Sequence, residues 1–156
     1  MKKIVLYLLL VATSMFIACD DTIKDEEVPK IDITSDDAFP QNCATVYRGE
    51  SFVYKIRITD NVQLGSYSIE MHNNFDHHTH STSVTECEPE PIKTAINPLY
   101  FMDEFSIPEN QTEYIATGEI DIPNDVDLGD YHFVFRVTDK SGWQNYEGIS
   151  MKVADR

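Results

Sequence analysis

Positive charge is scarce in this sequence. Lysine and arginine together number 12 against 27 aspartates and glutamates, and the formal net charge is −15 at pH 7. A surface of this sign repels phosphate backbones and anionic lipid head groups, which excludes nucleic acid as a partner. Attachment to a membrane would then depend on a covalent lipid rather than on surface charge.

Long apolar runs and catalytic motifs are also missing from most of the chain. Beyond the first twenty residues, no run approaches the roughly 20 apolar residues that a membrane helix needs. Serine nucleophile elbows, phosphate-binding loops and spaced Cys-x-x-Cys pairs are absent as well. We therefore expect no enzyme activity, and we expect one domain in the roughly 137 residues that follow residue 19.

The N-terminal residues have the order of a secretory signal. Two lysines precede an apolar stretch, and a small residue precedes Cys19. This order predicts a signal peptide over residues 1–18 and a lipid on Cys19, with cleavage of an ordinary secreted protein as the alternative. Residues 19–28 are interpreted as a lipidated acidic linker. Their acidic character favours an outer membrane lipoprotein exposed at the cell surface over one on the periplasmic face.

Two cysteines remain once Cys19 carries a lipid. Cys43 and Cys87 form an even pair in an exported chain, which predicts a disulfide. It would close a loop of roughly 45 residues and stabilise the fold by ~4 kcal/mol. A metal site made of cysteine and histidine is the alternative interpretation of the same pair.

Hydrophobic residues alternate with polar ones from residue 29 to the C-terminus. Alternation of this kind is typical of strands with one face on a core and the other in solvent. Gly, Asn, Asp and Pro separate the alternating segments, and none of them has a helical repeat. We therefore expect residues 29–156 to form an all-β domain, an immunoglobulin-like antiparallel β-sandwich of about seven strands.

One short motif supports the immunoglobulin-like arrangement. Asp127-Leu128-Gly129-Asp130-Tyr131 has the form of a tyrosine corner, which normally opens strand F of such a domain. Taken with the alternation, it predicts strands B, C, E, F and G, in that order, at residues 51–59, 65–72, 112–122, 131–138 and 146–154.

The histidines are concentrated in one short stretch. The five residues are His72, His77, His78, His80 and His132, and four of them fall within nine positions. Neutral imidazole is the commonest metal ligand in proteins. In an extended chain His78 and His80 would share a face, whereas His77 would point to the opposite side.

The fifth histidine is expected to join this cluster through the sheet. Strands C and F are antiparallel neighbours in an immunoglobulin-like domain, so the end of C lies beside the start of F. Met71 and Tyr131 fall on the core parity of their strands, which turns His72 and His132 to the outer face. Directly opposed residues lie about 4.5–5.5 Å apart at Cβ, close enough for two imidazoles to share one ion.

These placements predict a surface metal site. Its ligands would be His72, His132 and two of the loop histidines, with Asp76 and Asp130 as further ligands or as groups that orient a ring N–H. Imidazole ligands suit zinc, copper or nickel, and zinc is the ion that we expect. An outer-membrane transporter or another surface protein is the expected partner.

Other functions are compatible with the same residues. The histidines could be merely polar or bind metal adventitiously. Asp60 and Asp139 could hold calcium at one end of the sandwich, although their spacing is not that of a calcium loop. A sugar-stacking platform could form from Trp143, Tyr146, Tyr100 and Phe101. The alternative to a metal-binding protein is therefore an adhesive or accessory module that binds protein or glycan.

The chain resembles a family of small Bacteroidetes lipoproteins with one immunoglobulin-like domain of unknown function. The resemblance is carried by residues 47–52, 64–67 and 129–133, and by Asn-Asn-Phe-Asp-His-His at residues 73–78. It extends over nearly the whole chain after Cys19, and its specific part is the histidine-rich stretch. The resemblance implies a fold and a location but no activity.

Overall fold

The computed structural model describes residues 24–79 and 87–156. The predicted signal peptide over residues 1–18, Cys19 and His80 lie outside these ranges, and what the sequence predicts for them stays a prediction. No helix in the described part of the chain is long and apolar enough to cross a membrane.

The described residues form eight strands and no helix, as expected for an all-β domain. The predicted strands B, C, E, F and G correspond to β3, β4, β6, β7 and β8, with small shifts at their ends. The strands are β1 (Lys30–Asp32), β2 (Ala44–Tyr47), β3 (Ser51–Thr59), β4 (Leu64–Asn73), β5 (Phe101–Ser106), β6 (Glu113–Asp121), β7 (Gly129–Asp139) and β8 (Gln144–Ala154).

The strands pack as a sandwich of two sheets. One sheet has the order β1-β3-β6 and the other β2-β8-β7-β4-β5. This is an immunoglobulin-like arrangement, with two differences from the expected seven antiparallel strands. There are eight strands in the described residues, and β2 pairs parallel with β8. The parallel pair forms because the chain passes from the first sheet to the second between β1 and β2, and then returns to the first sheet at β3.

The core lies between the sheets, where the alternating residues meet. Phe52 and Tyr54 of β3 face Phe133 of β7, with ring centroids 6.5 and 6.4 Å from its ring. Ile56 and Ile69 are fully buried in the same core. Each such side chain contributes about 1.5–3 kcal/mol through burial of apolar surface. The period-two pattern of the sequence is therefore what places the core.

The predicted tyrosine corner is present at the start of β7. The Tyr131 hydroxyl donates a hydrogen bond to the Asp127 carbonyl at 2.7 Å and accepts one from the Leu99 backbone N–H at 3.2 Å. The ring is fully buried. The hydroxyl thus joins the beginning of β7 to the segment before β5, and it fixes the end of the sheet from which His132 projects.

Candidate metal centre

His72 and His132 lie directly opposite each other on the neighbouring strands β4 and β7. Their rings meet edge to face, with centroids 5.7 Å apart and an interplanar angle of 86°. Met71, Tyr131 and Phe133, the neighbours along the strands, are buried in the core. Because side chains alternate along a strand, both histidines project from the outer face of the sheet. The predicted convergence of these two residues is confirmed.

The exposure of this pair differs from the expectation of a surface site. His132 is only 2% exposed, although it projects from the outer face. The reason is that the chain after β4 returns over the sheet and lays the His78 ring on His132, with centroids 5.0 Å apart at 89°. His132 is therefore covered by the protein, whereas the side chains of His72 and His78 are 17% and 36% exposed.

The position of His78 follows from the way the chain leaves β4. The Asn74 N–H donates to the Asp130 carbonyl at 2.7 Å, which holds the turn to β7. Phe75 is buried and packs edge to face on Tyr131, with ring centroids 5.3 Å apart. His77 has a positive φ of 59°, an unusual conformation that reverses the chain direction. Together these features bring His78 back over the outer face.

The three rings of His72, His78 and His132 converge. His72 and His78 are stacked, with centroids 5.3 Å apart and an angle of 17°. Their Nε2 atoms are 3.2 Å apart. One ring nitrogen from each of the three residues lies within 4.8 Å of the other two, an arrangement that could hold a metal ion.

Carboxylates lie on the other side of two of these rings. Asp76 Oδ1 is 2.6 Å from His78 Nδ1, and Glu70 Oε1 is 3.1 Å from His72 Nδ1. The hydrogen bond from His78 lowers the pKa of Asp76. A carboxylate on Nδ1 favours the tautomer that leaves Nε2 with its lone pair, as in carboxylate–histidine–metal triads. Asp76 thus orients a ring, which is one of the two roles the sequence predicted for it.

Sequence reasoning missed the role of Glu70. The signal was available, because residues two apart on a strand share a face and Glu70 precedes His72 by two positions. The same face is partly shielded from solvent. Burial lowers the pKa of His72, and the neighbouring Glu70 carboxylate opposes that shift. A lowered pKa keeps this imidazole neutral near pH 7, the form that binds metals.

The structure does not bring every predicted site residue into the cluster. His77 points away, as its parity suggested, and its Nε2 lies 2.7 Å from the Glu90 carbonyl. Asp130 accepts the Glu90 N–H through its Oδ2 atom at 2.7 Å. Both residues instead hold the returning segment after Cys87 against the end of the sheet.

The predicted disulfide between Cys43 and Cys87 is present. The Cys43 N–H donates to the Ser150 carbonyl at 2.7 Å, and Ser150 lies opposite His132 on β8. A row of neighbouring residues therefore crosses the sheet in the order His72, His132, Ser150 and Cys43. The bond holds Cys87 beside the residue that precedes β2. A metal site made of cysteine and histidine, the alternative interpretation of the two cysteines, is excluded because both sulfurs are used in the disulfide.

The aromatic platform that was one alternative to a metal site does not form. Phe101 pairs with Met71 near one end of β4 and packs against the core, whereas Asp139 pairs with Leu64 at the other end. Tyr100 directly precedes Phe101, and Trp143 follows Asp139 by four residues, so the two side chains are at opposite ends of the sheet. The strand order therefore places these aromatic side chains far apart instead of gathering them on one surface.

Two solved structures are similar to the chain at low identity. The GspB Siglec domain matches with 22% identity and a TM-score of 0.46, over 85% of this chain and 60% of that chain. Spo0M, a sporulation control protein from Bacillus subtilis, matches with 11% identity and a TM-score of 0.42, over 84% of this chain and 51% of that one. The chain thus spans less than two thirds of either. No curated protein sequence matches it.

One sequence family matches almost the entire chain. The family is described as a domain of unknown function, DUF4625, and its model matches residues 17–154. That span includes all eight strands, the three converging histidines and both cysteines of the disulfide. The chain therefore belongs to the DUF4625 family.

Proposed function

We propose that this protein is a surface-anchored lipoprotein that binds a transition metal ion, zinc in the first instance, through His72, His78 and His132. The observation that carries the proposal is the 3.2 Å separation between the Nε2 atoms of His72 and His78. The role that we propose for the three histidines is binding rather than catalysis.

The separation fits shared coordination of one ion. Two ligands of a tetrahedral zinc with Zn–N bonds of 2.0–2.1 Å are about 3.3–3.4 Å apart. Nδ1 of His78 is hydrogen-bonded to Asp76, and the Glu70 carboxylate lies 3.1 Å from Nδ1 of His72. When both rings carry their proton on Nδ1, the two Nε2 lone pairs face each other. Such a contact is repulsive unless a proton or a metal ion lies between the nitrogens. A zinc ion bound there would satisfy both lone pairs and the ring of His132.

Burial strengthens the same argument. Electrostatic attraction between an ion and its ligands is stronger where water is excluded, which applies to His132 but not to the exposed carboxylate of Asp76. His132 is almost completely covered by the two other rings. A site with one buried and two partly exposed ligands suits an ion that is held and then passed on, with an outer-membrane transporter or another surface protein as the recipient.

The anchoring part of the proposal rests on the N-terminal sequence. A signal peptide over residues 1–18 and a lipid on Cys19 would fix the domain to the outer membrane, and the acidic residues that follow favour the outer surface. A Cys19→Ser variant would then be found in the soluble fraction, whereas wild-type protein would stay with membranes. Wild-type protein that is released without detergent would contradict the anchor.

Metal content tests the binding function directly. Protein purified without a nickel column should contain close to one zinc per chain by elemental analysis, and the His72→Ala/His132→Ala double variant should contain none. His77→Ala is the matched control, because His77 lies in the same turn but outside the cluster. A wild-type protein without stoichiometric metal, or a double variant that retains it, would contradict the proposal.

An adhesive or accessory module remains the second candidate. It is favoured by an exposed pair at the edge of the larger sheet, Met102 in β5 and Tyr100 just before that strand. Each is 64% exposed, and the Tyr100 hydroxyl contacts the Met102 sulfur at 3.4 Å. Exposed apolar side chains at an edge are typical of interaction surfaces. Loss of glycan or protein binding in a Tyr100→Ser/Met102→Ser variant, with no metal in the wild type, would favour this function.

A further inference from the structure

Three carboxylates meet at the end of the sandwich that is remote from the histidines. Asp139 ends β7 and pairs with Leu64 at the start of β4, whereas His72 lies near the end of β4. Asp60 follows β3, and Asp25 belongs to the segment that precedes β1. One oxygen from each of Asp25, Asp60 and Asp139 lies within 4.8 Å of the other two. Sequence reasoning named Asp60 and Asp139 but missed Asp25.

Asp25 and Asp139 are buried, Asp60 is partly buried, and each carboxylate has a partner for only one of its two oxygens. Asp139 is 4% exposed and Asp25 is 9% exposed. One oxygen of each accepts a backbone N–H: Asp139 from Trp143 at 2.9 Å, Asp25 from Glu27 at 3.2 Å, and Asp60 from Gln63 at 2.6 Å. The other oxygen, Oδ2 in each case, is buried and has no hydrogen-bond partner.

The concentration of negative charge is costly without a cation. Burial raises the pKa of Asp139, and the nearby charge of Asp25 raises it further. Among the described residues, no ion pair includes any of the three carboxylates. An unpaired buried charge is strongly unfavourable, and either a proton or a bound cation must offset it. The backbone donors on Oδ1 hold each carboxylate so that Oδ2 remains available.

The ligand atoms point to the class of cation. Only oxygens are offered, which is the preference of hard cations, and Ca²⁺ binds oxygens at 2.3–2.6 Å. Two oxygens on opposite sides of such an ion are separated by about 4.6–5.2 Å. Mg²⁺ has shorter bonds and a strict octahedral geometry, and it would bring the oxygens closer together than Ca²⁺ does.

We propose that Asp25, Asp60 and Asp139 form a calcium site that fastens the segment before β1 to the end of the sandwich. Asp25 is the only one of the three that comes from that segment. The same segment is held by Trp143, whose indole N–H donates to the Asp25 carbonyl at 3.2 Å, and by Asn145, whose side-chain amide donates to the Pro29 carbonyl at 3.0 Å. Calcium binding and docking of the segment would therefore be coupled.

Trp143 supplies a built-in reporter for this site. It is the single tryptophan of the sequence, and it contacts both Asp25 and Asp139. Adding Ca²⁺ to the full-length protein should produce a saturable change in its fluorescence. The calcium concentration at half-saturation should not exceed the roughly 10⁻⁴–10⁻³ M that is typical of extracellular calcium modules. The midpoint should rise at least about tenfold in Asp25→Asn and in Asp139→Asn, because each loses a charged ligand.

Matched variants separate this site from other effects. Asp121→Asn removes an exposed carboxylate of β6 and should leave the calcium midpoint unchanged. His72→Ala should also leave it unchanged, since the histidine centre and the calcium site are at opposite ends of β4. If Asp139→Asn does not fold, Asp25→Asn still decides, because Asp25 lies outside every strand.

Three outcomes would overturn the proposal. The first is a wild-type fluorescence that does not respond to 10 mM Ca²⁺, roughly tenfold above the weakest extracellular sites. The second is an Asp25→Asn variant with the wild-type calcium midpoint, which would show that the segment before β1 supplies no ligand. The third is a Mg²⁺ titration with the same midpoint as Ca²⁺, which would show screening of charge rather than a calcium site.

Discussion

His72 and His132 occupy opposed positions on β4 and β7, and their rings meet edge to face with centroids 5.7 Å apart. Both are therefore fixed by the backbone hydrogen bonds of the sheet. His78, in contrast, reaches the site from the turn after β4, where Phe75 and the Asn74 hydrogen bond to Asp130 hold the chain. A centre with two ligands on strands and one on a turn is partly preorganised, which limits the conformational cost of binding an ion.

Neighbouring histidines should respond differently to the same substitution. His78→Gln should weaken zinc binding at least about tenfold, because it removes one of three imidazole ligands. His77→Gln should leave the zinc affinity unchanged, because the His77 ring lies beside the Glu90 carbonyl outside the cluster. Competition titration against a zinc-sensitive dye measures both. Equal losses in the two variants would indicate loose binding to the turn as a whole.

The carboxylates behind the rings should tune the affinity without binding the ion. Asp76→Asn and Glu70→Gln each remove the charged partner of an Nδ1 atom. Groups in this position typically contribute 10–100-fold to metal affinity, and we expect losses of about that size in zinc titrations.

Glu109→Gln serves as the control for those two variants, since Glu109 is an exposed carboxylate in a turn outside every strand. It removes the same charge from the chain. A loss of zinc affinity in Glu109→Gln that equals the loss in Asp76→Asn would mean that overall charge, not ring orientation, controls binding.

The disulfide should contribute to both stability and zinc affinity. Its cysteines are 44 residues apart, so the chain-entropy model predicts a loss of ~4 kcal/mol in the free energy of unfolding when both become serine. Zinc should also bind more weakly, because Cys87 fastens the segment that follows His78. Urea denaturation and zinc titration of Cys43→Ser/Cys87→Ser measure the two effects. Unchanged values of both would show that the bond is dispensable.

Much of the fold could be predicted from the sequence because burial on one face imposes period two. The segments that became β3, β4, β7 and β8 alternate over five or more residues and carry the core. The short strand β1 could not be predicted, since three residues give too little alternation to distinguish a strand from a loop. The parallel pairing of β2 with β8 depends on where the chain changes sheets, which no local pattern encodes.

The candidate centre was predictable to the extent that it depends on strand parity. His72 and His132 met because parity and strand order together fix a cross-strand pair. The covering of His132 could not be predicted, because it depends on a backbone conformation with positive φ at His77 and on the anchoring of Phe75. Asp25 was missed for a related reason, because long-range docking of an acidic segment leaves no periodic signal.

Stability of the metal-free protein should fall as the pH drops below neutral. Burial holds the pKa of His72 below its ordinary value in the folded chain, so the unfolded chain binds a proton more readily. Stability is therefore complete above the unfolded value of about 6.5 and is lost as pH falls through it. His72→Gln should lose less stability than wild type between pH 7 and pH 5.5, as measured by urea midpoints.

That comparison isolates His72 from the carboxylates. Asp76, whose pKa is lowered by the hydrogen bond from His78, titrates below the window used. Asp139, whose pKa is raised by burial, is present in both proteins, so its contribution cancels. An equal loss of stability in wild type and His72→Gln would contradict the assignment.

X-ray absorption at the zinc edge examines the central claim most directly. The protein, purified without a nickel column and loaded with one zinc per chain, should give scattering from three imidazoles at about 2.0–2.1 Å. The imidazole signal should disappear in the His72→Ala/His132→Ala variant. A wild-type spectrum with oxygen ligands alone, or one that is unchanged in that variant, would contradict a zinc centre made of His72, His78 and His132.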